Sequence, residues 1–150
     1  MIKDEITDTT IPLEMLREVL SSEGRLVIKP TGNSMGKLVA MAEAIVIEPM
    51  PPGKLFIGSI IVFPRQEGWI AHRVVSRSGK TPDWHYRTCG DAASRLDTDI
   101  VTHSTAIGIV REIRCEERII DLRTAYSYVA SYFRAVRNMI VTTVSNVHIT

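Results

Sequence analysis

Cysteine is scarce. The chain carries two, Cys89 and Cys115, in 150 residues. Two are too few for a disulfide scaffold, and without a C-x-x-C spacing they make no zinc knuckle. The four histidines, His72, His85, His103 and His148, lack paired metal-ligand spacing. No Gly-rich phosphate loop is present either, so neither a metal nor another cofactor is expected. Net charge is nearly absent: 18 Lys and Arg face 17 Asp and Glu, giving +1. Such a chain has no bulk field to draw it onto nucleic acid, and none is expected as a partner.

Long apolar runs are also missing. The best are Ile57–Phe63, broken by Gly58 and Ser59, and Met139–Val144, broken by Thr142 and Thr143. Neither nears the roughly 20 residues a membrane span needs. The start, Met1-Ile2-Lys3-Asp4-Glu5, lacks the charged-then-apolar order of a signal peptide. The expectation is a soluble protein of the reducing cytoplasm with both thiols free. An apolar share of 45% and a charged share of 23% rule out wholesale disorder and fit one folded domain over 1–150.

Three zones follow along the chain. Residues 1–24 hold a helix, with Thr10 as cap, Pro12 in the first turn, Leu13, Leu16 and Leu20 as its stripe and Gly24 as its stop. Its acids, Asp4, Glu5, Asp8, Glu14, Glu18 and Glu23, suit a solvated face. Residues 25–122 form the β core. Short β-rich runs at Arg25–Lys29, Ala44–Glu48, Ser59–Phe63, Trp69–Ser76, Trp84–Thr88, Thr105–Ile113 and Arg118–Leu122 are mostly separated by Pro, Gly and Asn turns. Trp69–Arg77 and Asp83–Thr88 read as a hairpin with a loose loop. Without interleaved long helices, this predicts a mainly β fold: a folded-over antiparallel or barrel-like sheet, flanked by an N-terminal and a C-terminal helix.

Residues 123–150 make the C-terminal helix and tail. Val129, Tyr132, Phe133, Val136 and Ile140 recur at helical spacing. That stripe is expected to pack on the core. Contact of the 124–140 helix with a protein partner or a membrane surface is the alternative, though an interfacial helix wants a polar face richer in cations.

The chemistry-bearing residues lie between Thr31 and Asp97. Ser34 sits in Thr31-Gly32-Asn33-Ser34-Met35-Gly36, directly after a strand. Glycines on either side clear space around its hydroxyl and allow unusual backbone angles, as a presented nucleophile needs. His72 lies within Trp69-Ile70-Ala71-His72-Arg73-Val74-Val75 and shares a strand face with Ile70 and Val74. An imidazole there needs partners for its nitrogens, and it suits proton transfer near neutral pH. The loop Gly90-Asp91-Ala92-Ala93-Ser94-Arg95-Leu96-Asp97 offers the carboxylate that would orient such a base. Asp91 and Asp97 can each serve.

Taken together, the segments resemble type I signal peptidases and their clan relatives, the self-cleaving LexA-like repressors. The matching pieces are Gly32-Asn33-Ser34-Met35, Gly58-Ser59-Ile60-Ile61-Val62-Phe63, His72-Arg73-Val74-Val75 and Gly90-Asp91 through Asp97. Ser59 stands where the family usually has an acid. His72-Arg73-Val74 resembles the histidine-base subtype of endoplasmic-reticulum and archaeal-type enzymes. The resemblance implies a Ser34–His72–Asp97 triad, with Asp91 as a structural or assisting carboxylate and Asn33 near the oxyanion. It implies a serine endopeptidase acting on an extended peptide or protein substrate by acyl transfer, its activity falling on acidification as the base is protonated. The alternatives are an inactive peptide-binding module on the same fold and a self-cleaving repressor-type regulator. For the latter, residues 1–24 are too short and acidic to bind DNA.

Overall fold

The structure is a computed structural model and describes residues 5–6, 11–66, 68–93 and 95–147. Among these, no helix is long and apolar enough to cross a membrane. The elements run β1 (Glu5–Ile6), α1 (Leu13–Glu23), β2 (Leu26–Ile28), α2 (Gly36–Ala40), β3 (Ala44–Pro49), β4 (Ile60–Arg65), β5 (Gly68–Lys80), β6 (Asp83–Cys89), β7 (Val101–Thr102), β8 (Gly108–Cys115), β9 (Arg118–Asp121) and α3 (Ala125–Val147).

In β3 and β4 the apolar residues run without a break, because both faces of these strands are covered. Period-two alternation sorts them into two cores. Ile45, Ile47, Ile60 and Val62 face one core with Leu16 and Leu20 of α1, Leu26, Ile28, Met35 and Ile113. Ile61 and Phe63 face the other, with Leu55, Val74, Tyr86, Val101 and Ile109. Every strand placed by composition is present within a few residues. β1, β7 and the short α2 give too brief a pattern to read.

The strands form one sheet in the order β1-β2-β3-β8-β4-β5-β6-β7, with β9 branching from β8. All pairings are antiparallel except β1 with β2. The path ends at β1 and β7, so the sheet is open, and the barrel-like expectation is corrected in that respect. Strand β5 is the hinge of the layout. Its first half pairs with β4 and its second half with β6, and Arg73 pairs with both Ile60 and Cys89. Among the described residues, Gly68–His72 thus have a partner strand on one side only. A register shift between Val74 and Ser76 leaves Val75 as an extra residue. Bulges of this kind re-aim side chains. The β5–β6 hairpin turns tightly at Thr81-Pro82, not through a loose loop.

Helix α1 starts after Pro12, which stands at the cap position, and ends on Gly24 in the left-handed conformation. Thr10, expected as the cap, lies outside the described residues.

Helix α3 overturns the expected packing of its stripe. Val129, Tyr132, Phe133 and Ile140 are exposed. The docked face carries Ser127, Ala135, Asn138 and Thr142, all buried, with Ser131 half-buried between them. Close approach explains the inversion. A Cβ at Gly58, where φ is +102°, would stand 2.5 Å from the Ser131 carbonyl carbon. Only glycine against small helix residues allows such contact.

Candidate functional site

β5 presents His72 toward the second core, where it meets Phe63 edge-on with ring centroids 6.2 Å apart. Its side chain is 5% exposed. His72 Nδ1 lies 2.6 Å from Asp97 Oδ2. The same oxygen accepts the hydroxyl of fully buried Thr88 at 2.5 Å. The Asp97 main chain is held as well, its N–H donating to the Thr88 carbonyl at 2.9 Å. Arg65 reaches the other oxygen of Asp97 at 3.5 Å from the solvent side. Burial by itself would raise the Asp97 carboxyl. Hydrogen bonds from His72 and Thr88, with the charges of His72 and Arg65, outweigh it and hold the group below the usual range. Asp97 therefore stays a carboxylate facing Nδ1.

With Nδ1 engaged, Nε2 is the nitrogen left for other work. It faces the Ser34 segment across Gly90. A Cβ at Gly90 would stand 3.0 Å from His72 Nε2 and 2.6 Å from the Ser34 carbonyl oxygen. Any side chain there would wedge between the two. The Ser34 carbonyl accepts the Ala92 N–H at 2.9 Å, fastening the serine turn to the acidic loop. Asn33 closes the turn through its carbonyl, which accepts the Gly36 N–H at 3.1 Å. Ser34 itself is exposed, whereas Met35 is buried in the first core and anchors the turn from beneath.

Asp91 faces another way. Its two oxygens accept from Arg73 Nε at 2.8 Å and Nη2 at 2.7 Å, a bidentate pair. Arg73 is 2% exposed and also donates Nη1 to the Gly58 carbonyl at 2.9 Å. Asn138 of α3 donates to Asp91 Oδ1 at 2.9 Å, and Arg137 donates to the Asp91 carbonyl at 3.1 Å. Burial would raise Asp91, but the Arg73 and Asn138 hydrogen bonds, with the charges of Arg73 and Arg134, hold it low. Asp91 is thus the clamp that joins β5, the loop and α3. Of the two acids weighed from sequence, Asp97 is the one that meets His72.

Sequence reasoning missed Thr88 and Asn138. One threonine among strand residues and one asparagine in a helix carry no local signal of these contacts. Cys89 lies beside the site, fully buried, and its thiol is pushed up to about 11 by burial and by the nearby carboxylates of Asp97 and Asp91. A thiol held protonated in this way is no nucleophile.

A cavity of about 310 Å³ opens next to Ser34, lined by Thr31, Met35, Val39, Trp69, Ile70 and Ala71 among others. It lies along the half of β5 that has a partner strand on one side only. Exposed Ser34, an imidazole held by a buried carboxylate and an open strand edge thus adjoin one another, although Ser34 Oγ and His72 make no hydrogen bond with each other. Comparison with family models, curated proteins and solved structures finds no match for this chain.

Proposed function

We propose that the protein is a serine endopeptidase of the signal-peptidase-like kind, with Ser34 as nucleophile, His72 as general base and Asp97 as its orienting acid. The observation that carries this reading is the 2.6 Å His72–Asp97 contact, with Nε2 turned toward the Ser34 turn across Gly90. The substrate chain lies along the open edge of Gly68–Ala71 and places a side chain in the adjoining cavity. Ser34 Oγ attacks the amide carbonyl while His72 Nε2 takes its proton. The imidazolium, stabilised by Asp97, returns that proton to the leaving amine. Water, deprotonated by the same nitrogen, then frees the acyl group and restores Ser34.

Two measurements test this. A fluorophosphonate probe should label Ser34, with labelling lost in Ser34→Ala and His72→Ala. A peptide library should yield discrete cuts that Ser34→Ala abolishes. Binding of peptides with neither labelling nor cleavage would replace this reading with that of a noncatalytic peptide-binding module.

A further inference from the structure

We propose that the cavity between β9 and the first turns of α3 is a binding site for a small monocarboxylate with an apolar chain. This does not depend on the peptidase reading.

The cavity has a volume of about 440 Å³. That lies within the roughly 300–1,000 Å³ of small-molecule sites. Arg73, Ser131 and Arg134 line it on one side of its chemistry, and Ile113, Ile119, Ile120, Leu122 and Ala130 on the other. Arg73 leaves β5 on the face opposite His72, so the cavity lies across the sheet from His72.

The polar groups here have capacity that the protein does not use. Arg73 is 2% exposed. A guanidinium carries five N–H donors. Arg73 commits one from each nitrogen, to the two oxygens of Asp91 and to the Gly58 carbonyl. Among the described residues, the second N–H of Nη1 and the second of Nη2 meet no acceptor. Burying donors without acceptors is costly. The hydroxyl of half-buried Ser131 likewise has no hydrogen-bond partner among the described residues. Arg134 stands three residues further along α3, on the same side. Its charge acts on Asp91, which brings it near the Arg73 guanidinium bonded there. Among the described residues, neither Arg134 nor Arg118, also in the wall, stands in an ion pair. Asp121, the acid of the wall, is already taken up by Arg123 at 2.9 Å.

These features select the ligand. Cations without ion pairs and spare N–H and O–H donors call for an anion, and a carboxylate offers paired acceptor oxygens to a guanidinium. The rest of the wall is aliphatic. Ile119 is 62% exposed and would be covered by a chain lying in the cavity. A neutral apolar molecule would leave the buried guanidinium donors unmet, and a polyanion would leave the aliphatic wall without a partner. Octanoate meets both halves. Arg73 also grips Asp91, so a carboxylate held there would tie α3 more firmly to the clamp that carries the 90–97 loop.

The test is titration of the isotope-labelled full chain with octanoate, octanol and acetate, followed by amide chemical shifts. Octanoate should bind with a Kd of about 1 mM or tighter, as suits a ligand of its size. It should shift the amides of 118–122 and 127–134. Octanol lacks the charge and acetate lacks the chain, and each should bind at least about tenfold more weakly. Arg134→Gln should weaken octanoate about tenfold, the loss of one charge-assisted hydrogen bond. Ala130→Leu fills the cavity and should abolish binding. Both variants should melt near the wild type, since Arg134 is exposed and leucine is a good helix former. Amide exchange over 125–135 should slow when octanoate is bound. Four results would overturn the proposal: no binding at about ten times the expected Kd, octanol or acetate binding as tightly as octanoate, wild-type affinity in either variant, or shifts confined to 31–39 and 69–71. The last would place the carboxylate in the cavity beside Ser34 instead.

Discussion

His72 and Arg73 are neighbours in β5 whose side chains leave opposite faces of the sheet, and each ends on an acid of the same loop. His72 meets Asp97 at 2.6 Å, and Arg73 grips Asp91 at 2.7 and 2.8 Å. The first pair is built for a proton and the second for a clamp. Their mutational signatures should separate. Asp97→Asn should lower peptide cleavage about 10³–10⁴-fold by favouring the wrong imidazole tautomer. Asp91→Asn leaves Arg73 buried and unpaired and should cost about 3–5 kcal/mol of stability. Thermal melts and turnover measured on both variants check the split. Equal loss of activity at equal stability would place Asp91 in the chemistry as well.

Thr88 gives the next prediction. Its hydroxyl and the imidazole share one oxygen of Asp97. Thr88→Val keeps the shape and removes the donor. Asp97 then keeps His72 and Arg65 but loses one of the donors that fix its carboxylate, and turnover should fall about tenfold, the equivalent of one hydrogen bond near 1.4 kcal/mol. KM should hold, since Thr88 is fully buried behind the carboxylate. A rise in KM at constant kcat would mean that Thr88 shapes the substrate site instead.

Much of this was readable from the sequence, and the reasons differ by element. The unbroken β-rich run Ile60–Phe63 and the stretch Ile70–Val74 mark strands, and the period of two along the second sets His72 on the face of Ile70 and Val74, where it lies. The open ends of the sheet were not readable, because closure depends on whether β1 and β7 meet and no local pattern encodes that. In α3 the period was legible but its direction was not. The stripe from Val129 to Ile140 announces two unlike faces. Which face docks is decided by Gly58, more than seventy residues upstream of the stripe, and by the pull of Asp91 on Asn138. Choosing between Asp91 and Asp97 had the same difficulty, since loop acids are assigned by the partners that other strands bring.

Acid should destabilise the fold in a defined window. Asp91 and Asp97 are both held below their ordinary values in the folded state. Groups depressed in this way contribute stability fully above the unfolded carboxyl value of about 3.9, and lose it as pH falls through their lower folded values. The melting temperature should therefore change little because of these two groups between neutral pH and about pH 5, then drop below about pH 4. Asp91→Asn should melt lower throughout and show a shallower acid drop. An unchanged acid limb in that variant would mean that the Asp91–Arg73 clamp is not what acid breaks.

Gly58→Ala tests whether α3 is part of the folded unit that holds the site. The added methyl would stand 2.5–2.7 Å from the backbone of Ser131 and Tyr132, and neither main-chain group can swing aside as a flexible side chain would. The φ of +102° is itself disfavoured for alanine. The helix must lift, and lifting separates Asn138 and Arg137 from Asp91. Amide exchange over 125–147 should rise in Gly58→Ala, while the first core around Leu16, Ile47 and Ile113 keeps its protection. Loosening of Asp91 should spread to the loop it anchors, so turnover should fall although Gly58 contacts neither His72 nor Asp97 in any hydrogen bond. Full activity alongside rapid exchange in α3 would uncouple the helix from the site and leave the loop to the Arg73–Asp91 pair and to its bonds with Ser34 and Thr88.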